Sequence, residues 1–396
     1  MNCSVRLFAA AAVAAAVAAA ALATALTAGA AQAADPGPYV ALGDSYTAAP
    51  LVPFTYGTPI GCARSDHNYP SVVRAAIGAT AFRDESCSSA TTEHMTAPQS
   101  VIGGNHAPQF DALSADAKLV TVGIGGNDVG LVGAAVDCVQ LGLLAPTGTA
   151  CRSNFAKPAG GDRLVDQIAE SAPKIAAMLQ GIQQRSPQAR VLIVGYPAVA
   201  PTDGRSCYPL VPLSADDLGY FDELLRRTNA MLAEQAAAND AEYVDTYQES
   251  IGHDVCTLPP TRWYEGVVPT MPAFPIHPNV SGEASMARSV LRVLGQPQPA
   301  PALSTLNRLQ RSVRVGRAAR FNYTLSRASS VTFALQRSLG KGRYAKARRL
   351  VTVNAARGEN ALKLTTKQLG RRAGLYRLTA TLAGGGTQTV QFRVKR

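Results

Sequence analysis

The stretch Tyr39–Thr47, which reads Tyr-Val-Ala-Leu-Gly-Asp-Ser-Tyr-Thr, constrains what this chain can fold into more than any other. Tyr39 to Leu42 form an apolar run of strand-forming residues, short enough to be a buried strand. Gly43 punctuates the run. Asp44 and Ser45 follow, and both are residue types whose side chains satisfy free N–H groups in the first turn of a helix. The pattern is a buried strand that ends in a tight turn with a serine at its mouth. In open α/β sheets, ligands bind beyond the carboxyl ends of the strands. Asp44 and Ser45 could serve only as a helix cap, so the rest of the chain has to decide between capping and chemistry.

Further strands are expected at Thr80–Glu85, Lys118–Ile124, Arg190–Gly195 and Glu242–Thr246. Helical patterns fall at about 71–77, 162–184, 215–238 and 281–294. Strands alternating with helices predict a parallel sheet covered on both faces. Small or polar groups end three of the strands: Ser45, Ser88–Ser89, and Asn127 in Gly125-Gly126-Asn127-Asp128. A fourth block, Phe274-Pro275-Ile276-His277-Pro278-Asn279, precedes the last helix, and its two prolines fix the backbone around His277. A serine and a histidine brought together make a nucleophile and its general base. Backbone N–H groups and a side-chain amide beside them can hold an oxyanion.

Four blocks in this order, Gly43-Asp44-Ser45-Tyr46-Thr47, Cys87-Ser88-Ser89-Ala90-Thr91, Gly125-Gly126-Asn127-Asp128 and His277-Pro278-Asn279, give residues 38–296 a resemblance to the SGNH (GDSL) hydrolases. Within them the chain resembles the secreted actinobacterial lipase and esterase branch. That resemblance implies a three-layer α/β/α fold with a five-stranded parallel sheet. It implies Ser45 as nucleophile and His277 as base, with an oxyanion hole of the Ser45 N–H, the Ser89 N–H and the Asn127 amide. Two positions depart from the family pattern. Ser89 stands where the family usually has glycine, so its N–H is expected to serve if the local φ is negative. Phe274 stands where many members have an aspartate that orients the histidine, so the Phe274 carbonyl is expected to accept the Nδ1–H instead. The implied reaction is ester hydrolysis through an acyl-serine, with no metal or organic cofactor. An O-acetyl polysaccharide deacetylase and a non-catalytic wall-binding protein with a degenerate site are the alternatives.

Outside that region, composition divides the chain. Arg6, the Ala-rich run from Leu7 to Ala30 and the Ala31-Gln32-Ala33 site read as a secretory signal peptide over residues 1–33. Export makes the six cysteines beyond it candidates for disulfides. Sequential pairing is expected: Cys62–Cys87, Cys138–Cys151 and Cys207–Cys256, each tying down one excursion of the core. No clustered Cys/His spacing supports a zinc site. Residues 1–300 hold 17 Lys+Arg and 26 Asp+Glu, a net of −9, whereas residues 301–396 hold 21 Lys+Arg and a single acid, Glu359, a net of +20. The swing marks a domain boundary at a Pro-rich linker, 296–310, between a catalytic domain (34–295) and a basic tail domain (311–396). The tail's short alternating segments resemble the immunoglobulin- and fibronectin-like β-sandwich modules of secreted enzymes. Its charge reads either as a solvated surface or as attachment to an anionic cell-wall polymer or membrane surface. No motif points to nucleic acid, and a monomer is expected.

Overall fold

In a computed structural model, which describes residues 36–296, 302–310, 312–325, 329–355, 358–383 and 386–396, β1 (Tyr39–Gly43) is buried along its whole length. The expected signal peptide lies outside the described residues, as does the proline-rich part of the expected linker. The chain divides into two units, Met1–Gln296 and Pro297–Arg396.

In the first unit, β1 joins β2 (Phe82–Asp84), β3 (Leu119–Gly123), β4 (Arg190–Val194) and β5 (Glu242–Val244) in a parallel sheet of order β2-β1-β3-β4-β5. Alternation along each strand sends its side chains to opposite faces. Val40, Leu42, Val120, Val122, Val191 and Ile193 join one apolar core, with Ile175, Leu179, Leu224 and Leu232 from α5 (Arg163–Arg185) and α6 (Ala215–Ala238). Tyr39, Ala41, Leu119, Leu192 and Val194 join the other, with Val73, Met286 and Val290. These three come from α2 (Tyr69–Ile77) and α7 (Val280–Val293). The result is a three-layer α/β/α unit. Besides single helical turns, two helices among the described residues have no counterpart in the sequence reading: α3 (Leu131–Leu144) and α4 (Ala150–Phe155). Helix α3 is apolar nearly all round and carries two glycines, so it lacks the one-sided stripe by which a surface helix is recognised.

Disulfides join Cys62 to Cys87, Cys138 to Cys151 and Cys207 to Cys256. The second links α3 to α4, and the first ties the end of a short turn, Ile60–Cys62, to the residues that follow β2. Cys62, Cys87 and His106 lie close enough to share an ion, but the two sulfurs are bonded to each other.

In the second unit, β6 (Leu303–Arg308), β8 (Ala319–Leu325) and β12 (Gly358–Leu364) form one antiparallel sheet. The other contains β7 (Ser312–Arg314), β9 (Ser329–Gly340), β10 (Arg343–Tyr344), β11 (Arg348–Ala355), β13 (Gly374–Leu382) and β14 (Thr387–Lys395). Their facing residues share one core: Phe321 meets Phe392 edge-on at 5.1 Å, and Tyr323 meets Phe333 at 5.1 Å. This is a β-sandwich. One boundary is corrected. Leu303–Arg308, inside the expected linker, is a strand, because Leu303 and Leu306 are buried in the sandwich core.

Candidate active site

Asp44 and Ser45 open α1 (Ser45–Ala48), a single helical turn directly after β1. The turn is tight because Gly43 has φ +151°, where a β-carbon would lie 2.2 Å from Thr47 Oγ1 and 2.5 Å from the Gly123 carbonyl. Only glycine allows that approach. The Asp44 carboxylate does cap the turn, accepting the Tyr46 N–H at 2.9 Å. Capping and placement of Ser45 are therefore one feature. Gln109 braces the turn from outside, donating to the Gly43 carbonyl and accepting its N–H at 2.9 and 2.8 Å.

His277 reaches Ser45 from the other end of the chain: its Nε2 lies 2.8 Å from Ser45 Oγ, and both residues are buried. The ring sits between Tyr46, at 4.8 Å between centroids, and Phe274, edge-on at 5.3 Å. Its Nδ1 is 2.8 Å from the Pro275 carbonyl. The expectation that the Phe274 carbonyl orients the ring is thus corrected. That carbonyl accepts the His277 backbone N–H at 3.1 Å, closing a four-residue turn. Pro275 at the second position and a positive φ of 60° at Ile276 follow the pattern of a type II turn, which leaves the Pro275 carbonyl for the imidazole. The Ile276 carbonyl accepts the Tyr46 hydroxyl at 2.6 Å, tying this turn to the serine's. Among the described residues no carboxylate hydrogen-bonds to the imidazole, and burial holds its pKa down at about 4.

Asn127 follows β3 and donates one amide proton to the Ala90 carbonyl at 2.8 Å, leaving its second available. Among the described residues, neither the Ser45 N–H nor the Ser89 N–H has a hydrogen-bond partner. Ser89 has φ +66°, so the negative φ on which its expected role is conditional is not found. The serine takes the left-handed conformation that glycine adopts without strain, and its N–H is retained.

Sequence reasoning gave no role to three groups that join these blocks. The Tyr196 hydroxyl donates to Asp44 and accepts the Gly126 N–H at 2.7 Å, so it links the serine turn to the asparagine turn. Its placement directly after Gly195, at the end of the fourth expected strand, was the available signal. Asp128 accepts the Thr92 N–H and hydroxyl, joining the asparagine block to the segment after Ser89. Asn279 caps α7 through Ser281 and Gly282 and donates to the buried Glu265, fixing the residues beyond His277. Burial pushes the Asp44 carboxyl up to about 7, against hydrogen bonds from Tyr196 and Tyr46 that hold it down.

A cavity of about 170 Å³ opens beside Ser45, His277 and Asn127, and it is walled by Leu131, Val136, Val199, Leu218, Phe221 and Val255 among other apolar residues. Helix α3, missed in the sequence, supplies one wall.

Comparison with known proteins bears on the family of the chain. The GDSL-like lipase/acylhydrolase family pattern matches residues 41–284. Lipase 2 of Streptomyces coelicolor is 37% identical over 261 residues, covering 65% of this chain and 85% of that protein. An esterase of Streptomyces scabiei is 29% identical over 282 residues, covering 64% and 81%. The crystal structure of an extracellular lipase from Streptomyces rimosus superposes with a TM-score of 0.54 at 25% identity, over 65% of this chain and 98% of that one. The chain belongs to the GDSL-like lipase/acylhydrolase family and is a serine ester hydrolase of the lipase and esterase kind.

Proposed function

We propose that the protein is an exported carboxylic-ester hydrolase acting through an acyl-Ser45 intermediate. The carrying observation is the 2.8 Å contact between Ser45 Oγ and His277 Nε2 at the mouth of an apolar cavity. In the proposed reaction, His277 Nε2 takes the Ser45 proton as Oγ attacks the ester carbonyl carbon. The oxyanion is held by the N–H groups of Ser45 and Ser89 and by the Asn127 amide. His277 then protonates the leaving alcohol. Water, deprotonated by the same imidazole, attacks the acyl-serine and frees the acid. The Pro275 carbonyl fixes the ring, but it lacks the full negative charge of an aspartate, consistent with a base of low pKa.

The cavity bears on the acyl group. A water-sized group needs about 10–15 Å³, so about 170 Å³ has room for roughly eleven to seventeen such groups. Its walls are almost wholly apolar, which favours an acyl chain of a lipid ester over the acetyl group of a polysaccharide. Hydrolysis of p-nitrophenyl esters from acetate to palmitate tests this. kcat/KM should rise well beyond acetate. A maximum at acetate would favour the deacetylase reading instead.

Export is supported by the three disulfides. The basic second unit is proposed as an electrostatic anchor that takes no part in the chemistry, since Ser45, Ser89, Asn127 and His277 all lie in the first.

A further inference from the structure

We propose that the β-sandwich carries a discrete phosphate-binding site, built from Arg337, Lys346, Arg348, Arg371, Arg372 and Tyr376, that captures a phosphodiester polymer. It rests on the reading of this unit as an anchor and specifies where the anion sits. The five cations line a concavity of about 370 Å³. Three separate segments supply them: the end of β9, the start of β11 with Lys346 two residues before it, and the loop between the turn Thr366–Leu369 and β13.

The segments are held by contacts that do not use most of the cationic heads. The Ala345 N–H donates to the Arg337 carbonyl at 2.9 Å, and Gln336 donates to the Ala345 carbonyl at 3.1 Å. The Tyr376 hydroxyl, buried at the floor, donates to the Arg372 carbonyl at 2.8 Å and fixes that loop. The Arg348 guanidinium donates to the Gln368 carbonyl, joining the other two segments.

What the cluster lacks is a counter-charge. In the first unit, several arginines face carboxylates: Arg190 with Glu242, Arg227 with Glu223, Arg288 with Glu249. Among the described residues of the second unit there is no ion pair, and the sole acid after residue 300, Glu359, lies on β12 of the other sheet. Like charges gathered in one concavity repel one another, and an anion relieves that repulsion. Guanidinium groups match phosphate oxygens by paired, charge-assisted hydrogen bonds.

Two features select the source of the phosphate. The large apolar residues exposed on this unit, among those described, are Leu309 and Leu339, and neither lines the site, so nothing there is suited to enter a bilayer. No exposed aromatic offers a platform for bases, since Tyr376 is buried and Tyr344 lies under the Arg377 guanidinium at 3.9 Å. A chain of polyol or sugar phosphates needs neither.

The test compares full-length protein, the pair Arg371→Gln/Arg372→Gln, and a control pair that removes equal charge from the other sheet, Arg320→Gln/Lys363→Gln. Binding to poly(glycerol phosphate) is measured by calorimetry at 0.15 M salt, with thermal unfolding of each variant, followed by circular dichroism, as the check that the β-sandwich is folded. The site predicts at least a tenfold loss of affinity for the first pair and under twofold for the control. Equal losses for both pairs would overturn the site and leave a diffuse anchor. No binding by the full-length protein would overturn both site and anchor. Tighter binding to vesicles of phosphatidylglycerol, or to a single-stranded oligonucleotide, than to the polymer would overturn the polymer as ligand.

Discussion

At the scale of single residues, Ser89 and the titrating pair Asp44 and His277 give the sharpest expectations. Ser89 holds φ +66°, a region that disfavours residues with a β-carbon, by about 1–2 kcal/mol. Ser89→Gly should therefore keep Tm within a few degrees and retain kcat, because the N–H and its direction survive. Ser89→Val should lose both stability and kcat, since a β-branched side chain resists that conformation. Equal behaviour of the two variants would remove Ser89 from the oxyanion hole. For His277, burial lowers the pKa from the usual 6.5 to about 4, so the free enzyme keeps a neutral base into mild acid. The acid limb of kcat/KM should inflect near pH 4, and an inflection near 6.5 would contradict the desolvated geometry. The linked stability has a definite sign: the folded state binds fewer protons than the unfolded one between pH 6.5 and 4, so this group destabilises the fold as pH falls through that window. Asp44 acts oppositely. Its pKa is raised from 3.8 to about 7, so its contribution is favourable at low pH and is lost as pH rises through 4 to 7.

At the scale of elements, the five core strands and the long helices were legible because their signals are local and doubled. Apolar runs end at glycine, and α6 is opened by Ser214, which accepts the Asp217 N–H. The blocks bearing Ser45, Asn127 and His277 were legible because each sits where a strand ends or a helix begins. What was not legible depends on contacts distant in sequence or on backbone conformation. The carbonyl facing His277 could not be assigned because it depends on a positive φ at Ile276, a β-branched residue that ordinarily avoids it. Leu303–Arg308 reads as polar linker because only Leu303 and Leu306 face inward. Tyr196 carried no motif at all, although it bridges the turns that bear Ser45 and Asn127. Tyr196→Phe should leave the buried Asp44 carboxyl and Gly126 N–H short of a partner, which costs about 1–3 kcal/mol per group. We expect kcat to fall at least tenfold with KM nearly unchanged, and the neutral-pH behaviour of Asp44 to shift. Unchanged kcat would mean that the two turns hold their positions without this link.

At the scale of the whole molecule, the chain pairs an acidic unit that holds every proposed catalytic group with a basic unit that holds none. A chain ending at Gly295 should keep kcat on a soluble ester, measured by p-nitrophenol release, because the site and its three disulfides lie before that point. Loss of activity in a folded truncated protein would show that the second unit helps build the site. The central claim is that Ser45, activated by His277, forms the covalent intermediate. The most direct measurement is reaction of the intact protein with a p-nitrophenyl alkylphosphonate, followed by peptide mass spectrometry. The account predicts one phosphonyl group per molecule, on Ser45, appearing at the rate at which esterase activity disappears, and no labelling of Ser45→Ala. Label on another residue, or esterase activity remaining after Ser45 is fully modified, would contradict it.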